Sequence, residues 1–86
     1  MVNAMKPLSF LTNGEEGIIK EVRGGIGIRG KLMGMGMVKG KTLRMVKNDA
    51  RGPVIVALEE TRLALGRGMA QKVLVEQKED NKNNLS

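Results

Sequence analysis

Between residues 17 and 76 the chain alternates short apolar runs with glycine-rich or charged breaks, and the period of each run predicts its element. Gly17-Ile18-Ile19-Lys20-Glu21-Val22 is β-branched and mixed in polarity, the signature of a half-buried strand. Gly24, Gly25 and Gly27 then form a link of little bulk. In 28–35 the apolar residues Ile28, Leu32 and Met35 fall on one stripe of a helix, with Arg29 and Lys31 facing outward. Residues 41–48 predict a second strand, with Leu43, Met45 and Lys47 on one face and Thr42, Arg44 and Val46 on the other. A polar turn leads to Val54-Ile55-Val56-Ala57-Leu58, where Val54, Val56 and Leu58 share a face. Glu59-Glu60-Thr61 reads as a turn, Arg62-Leu63-Ala64-Leu65 as a short strand, 66–71 as one helical turn, and 72–76 as the closing strand.

A helix of about two turns does not hold itself up in water, so it must pack on a sheet. Gly36 and Gly40 stand where a chain leaving a helix needs a left-handed or tight-turn backbone. Five short strands with tight connections and one inserted helix predict a mainly β fold, a small SH3-like β-barrel. Leu8-Ser9-Phe10-Leu11 is expected to cover one end of it. The length of 86 residues leaves room for a single core, assigned to residues 1–76. The polar tail, 77–86, has no core-forming run and reads as disordered.

Composition narrows the chemistry. With no histidine and no cysteine, a zinc or transition-metal site of ordinary ligand type cannot be built, nor a disulfide. No apolar run is long enough for a membrane span or a signal-peptide core, so the expected location is the cytoplasm, with no direct membrane insertion. Of the net charge of +6, the span 17–76 holds 12 basic and 5 acidic residues, so the folded part presents a basic surface. Such a surface favours polyanions or an acidic protein face.

Met33, Met35 and Met37 invite a thioether reading for a soft cation, but alternate helical positions diverge, and methionine fills irregular gaps well. The segment Gly24-Gly25-Ile26-Gly27 lacks the lysine and hydroxyl ending of a phosphate-binding loop. Nucleic-acid readers of this size add aromatic platforms, whereas Phe10 is the one aromatic residue here. No specific nucleic acid is therefore expected, and a small basic nucleic-acid-binding barrel is the alternative reading. The carboxylates are scattered, which predicts no enzyme and no cofactor.

The order of the pieces resembles the FeoA family. The resemblance rests on Leu32-Met33-Gly34-Met35-Gly36-Met37-Val38-Lys39-Gly40, then Val54-Ile55-Val56, Arg62-Leu63-Ala64-Leu65, Ala70 and Val73-Leu74-Val75. The family often has proline where Lys39 stands, and glycine with an aromatic where Glu60-Thr61 stand. The resemblance implies an SH3-like accessory protein of bacterial ferrous-iron uptake, which docks on the cytosolic side of FeoB, the membrane GTPase that carries Fe(II). The expected contact surface is the helix and its exit turn: Arg29, Lys31, Lys39 and Lys41 for steering, Met33 or Met37 for apolar contact.

Overall fold

The computed structural model describes residues 4–78. Its elements are β1 (Met5–Pro7), a 3₁₀ turn (Leu8–Phe10), β2 (Glu16–Val22), α1 (Ile26–Gly34), β3 (Thr42–Lys47), β4 (Val54–Leu58), β5 (Thr61–Leu65), α2 (Arg67–Ala70) and β6 (Val73–Lys78). All strands join one antiparallel sheet in the order β1-β6-β2-β3-β4-β5. The fold is mainly β and SH3-like, as the sequence predicts, but the sheet is not closed, and β1 and β5 form its edges.

The strand that the sequence reading misses is β1. It has three residues and ends on Pro7, too short for any period to show, and pairing with β6 creates it. Directly after it, Leu8 and Leu11 are fully buried while Phe10 points out, so the expected end cover is made by the two leucines. β6 runs two residues beyond the assigned domain limit, so Gln77 and Lys78 belong to the strand. There Gln77 Nε2 donates to Glu15 Oε2 at 2.6 Å. The rest of the tail assigned as disordered lies outside the described residues.

The core lies between the faces of the curved sheet and is wholly aliphatic: Ile19, Leu43, Met45, Val54, Val56, Leu65, Val73 and Val75 are all within about 1% of complete burial. Each such side chain contributes roughly 1.5–3 kcal/mol relative to exposure. Leu43 and Met45 share a face, as expected, and it is the core face, but Lys47, expected beside them, does not join it. A register shift between Met45 and Lys47 interrupts the alternation and leaves Lys47 in solvent.

Helix α1 starts two residues earlier than its apolar stripe suggests. Gly25 is the N-cap in extended conformation, and the Arg29 N–H donates to Gly25 O at 3.0 Å, closing the first turn without a side-chain cap. The helix ends in a Schellman arrangement. The Met37 N–H donates to Leu32 O at 3.0 Å and the Gly36 N–H to Met33 O at 2.9 Å, with Gly36 at φ 94°. Leu32 and Met37, which flank this turn, are both fully buried. The chain then returns to the sheet, where the Gly40 N–H donates to Ile19 O and the Ile19 N–H to Lys41 O, each at 2.8 Å.

Candidate functional site

The helix packs on the sheet, as its shortness requires, but by little more than one side chain. Of its nine residues only Leu32 is buried. The other apolar side chains stay in solvent: Ile26 is 89% exposed, Met33 57% and Ile28 37%. Isolated exposed apolar residues are ordinary on a surface, but three on one short helix are a local concentration.

Beside the helix lies a groove of about 310 Å³, bounded by Lys20, Glu21 and Val22 of β2, Arg29 and Met33 of α1, and Met37, Val38 and Lys39 of the exit turn. The local sequence explains the cleft. A nine-residue helix anchored chiefly by Leu32 and its C-terminal turn cannot lie flush on the sheet along its whole length. The three glycines within it, Gly27, Gly30 and Gly34, add no side chain to fill the gap.

The cations around this groove differ in their engagement. Lys20 pairs with Glu76 at 3.3 Å, and the groove's one acid, Glu21, is held by Arg23 Nε at 3.1 Å. Arg29, Lys31 and Lys39 are exposed and have no ion-pair partner among the described residues. The surface is thus an apolar cleft with unspent positive charge on its helix and exit-turn sides.

Four of the six expected contact residues come together here: Arg29, Met33, Met37 and Lys39. Met37, however, is completely buried and forms the floor, so it offers no surface for contact. Lys31 is exposed on the helix but outside the groove lining, and Lys41 is drawn into an ion pair with Glu59. Val22 and Val38 supply apolar wall that the sequence reading did not include. Their position follows from the pairing of the exit turn with β2, which no local pattern shows. Met33, Met35 and Met37 stand exposed, half-buried and buried in turn, three different surroundings.

A second polar hollow, of about 560 Å³, opens at the far end of the sheet among Ser9, Thr12, Asn13, Asn48, Ala50 and Arg67. Asn48 organises it. Its Nδ2 donates to Ser9 O at 2.9 Å and Leu11 O at 2.8 Å, and its Oδ1 accepts from Arg67 Nη2 at 2.9 Å. These bonds tie the 3₁₀ turn, the β3–β4 loop and α2 into one corner, which is structural work.

Comparison with known proteins agrees with this architecture. A curated protein of Methanocaldococcus jannaschii, whose provisional name is Fe(2+) transport protein A, is 40% identical over 75 residues, spanning 87% of this chain and 90% of that protein. The crystal structure of an iron uptake regulatory protein (FeoA) superposes with a TM-score of 0.83 at 33% identity, covering 87% of this chain and all of that one. A manganese-dependent transcriptional repressor shares the fold at a TM-score of 0.82 and 18% identity, this chain matching 44% of its length. The profile of the FeoA domain matches residues 6–77, nearly the whole described fold, and the chain belongs to the FeoA family.

Proposed function

We propose that the chain is an accessory protein of ferrous-iron transport in the cytoplasm, acting by protein contact rather than catalysis. In this reading it docks on the cytosolic side of a FeoB-like membrane GTPase through the α1–β2 groove. The observation that carries it is the concentration on one short helix and its exit turn of exposed Ile26, Ile28 and Met33 beside the unpaired cations Arg29, Lys31 and Lys39. Apolar side chains beside a cleft provide the area whose burial drives association, and the surrounding charge selects an acidic, amphipathic segment and speeds encounter. No helix among the described residues is long and apolar enough to cross a membrane. In this reading the chain acts on its partner by preferring one of the partner's states, because only differential affinity shifts an equilibrium.

The test is an NMR titration of the ¹⁵N-labelled chain with the soluble GTPase domain of FeoB, with and without a GTP analogue. Shifts confined to Val22, 26–34 and 36–39, larger in one nucleotide state, are expected. The double variant Arg29→Glu/Lys39→Glu should weaken binding at least about tenfold and remove its salt dependence. Shifts that map elsewhere, or binding indifferent to both reversals, would sink the proposal.

A further inference from the structure

The groove beside α1 is lined by two thioethers in opposite states. Met33 is the most exposed methionine among the described residues, whereas Met37 on the floor is completely buried. Of the others, Met45 is buried, Met35 and Met69 are half-buried, and Met5 is exposed on β1, outside the groove. The chain contains no cysteine, histidine, tryptophan or tyrosine. A two-electron oxidant therefore meets no thiolate or reactive ring here, and the exposed methionine sulfurs are its targets.

We propose that Met33 is a peroxide-sensitive modification site, and that its conversion to the sulfoxide closes the groove to its partner. This rests on the docking reading of that groove. The co-reactant is hydrogen peroxide. The Met33 sulfur attacks one peroxide oxygen and gives up two electrons; the S–O bond forms as the O–O bond breaks. The proton of the attacked oxygen passes to the departing hydroxide, which leaves as water.

The surroundings of Met33 give the new oxygen its effect. A sulfoxide is polar, so the groove loses exposed apolar area that docking would bury, and burying the S–O group carries a desolvation cost. Arg29 stands four residues before Met33, on the same side of α1, and lines the same groove. It has no ion-pair or side-chain hydrogen-bond partner among the described residues. The groove's carboxylate, Glu21, is held by Arg23. The Arg29 guanidinium is thus free to donate to the sulfoxide oxygen, which draws off a cation that steers the partner. Met37 is shielded by burial, so the helix end it secures stays intact and the change is confined to the surface.

Timed treatment of the full chain with hydrogen peroxide, read by mass spectrometry of its peptides, tests the site. Met33 and Met5 should convert at least about tenfold faster than Met37 and Met45, because susceptibility follows exposure. Met5→Leu then isolates Met33. In that variant oxidation should shift the Arg29 Nε–H resonance and weaken binding to the soluble GTPase domain of FeoB at least about tenfold. Met5→Leu/Met33→Leu keeps an apolar side chain that peroxide does not attack, and both readouts should be the same before and after treatment. Met33 reacting no faster than Met37, an unmoved Arg29 resonance, or undiminished binding by the oxidised Met5→Leu chain overturns the proposal. A reduced chain that does not bind the domain overturns the docking reading instead, and the order of oxidation and the Arg29 signal still decide the modification site.

Discussion

The helix that borders the groove is weak by construction, and substitution of its glycines puts a number on that weakness. Gly27 and Gly30 lie inside α1 with ordinary helical backbone, and a Cβ added at either meets nothing within 4 Å. Glycine costs a helix interior about 1 kcal/mol relative to alanine, chiefly in backbone entropy. No side chain caps this helix and no acid occupies its first turn to offset that cost. Gly27→Ala/Gly30→Ala should therefore stabilise the helical state by about 2 kcal/mol. At about 1.4 kcal/mol per decade, the amides of 30–34 should exchange about 30-fold more slowly. With a urea dependence near 1 kcal/mol per molar for a domain of this size, the unfolding midpoint should rise by about 2 M. Hydrogen exchange followed by NMR reads the first effect and urea titration the second. If exchange across 30–34 were unchanged in a folded double variant, α1 would owe its order to tertiary contact, and its weakness would be no feature of the site. If the proposed docking through α1 holds, a stiffer helix should also bind the FeoB GTPase domain more tightly, because less ordering remains to be done on binding.

Other positions carry equally definite expectations. At Gly36 an added Cβ meets Leu58 Cδ2 at 3.0 Å on a backbone held at φ 94°, so Gly36→Ala should cost about 1–3 kcal/mol in urea unfolding and blur the groove's exit turn. Asn48→Ala removes three partly buried hydrogen bonds, to Ser9 O, Leu11 O and Arg67, and should cost about 2–3 kcal/mol at about 1 kcal/mol per bond, while leaving α1 resonances in place. Glu15 sets an acid limit. Its carboxylate accepts the Thr12 N–H at 2.7 Å, the foremost cause, and with help from nearby Lys6 and the amide of Gln77 its pKa falls below the ordinary value despite some desolvation. A depressed folded pKa gives stability that is present above the unfolded value of about 4.3 and is lost as pH falls through the folded value. Urea unfolding of wild type and Glu15→Gln across pH 2 to 7 should show the gap between them closing at the acid end; a constant gap would refute the linkage.

How far the sequence reveals this molecule depends on how local each cause is. The strands β3 and β4 are legible because period-two alternation and burial coincide, and the limits of β4 match the apolar run Val54 to Leu58. Gly36 is legible because a helix terminus makes a demand that a single residue type meets most cheaply. β1 is not legible, because three residues ending in proline become a strand only through a partner far along the chain. Lys47 is misassigned for a related reason: a bulge is a property of two strands in register, and neither strand announces it alone. The groove falls between these cases. Arg29, Met33 and Lys39 are visible from the helix and its exit, whereas Val22 joins them only when β2 is laid alongside. Met37 shows the limit most plainly. Its place on the helix exit turn puts it in the contact surface that the family resemblance implies, yet the Schellman turn that Gly36 permits folds it back onto Leu32, and its side chain fixes the helix end. The same glycine that makes the turn legible thus decides which methionine remains available to a partner, and it leaves Met33.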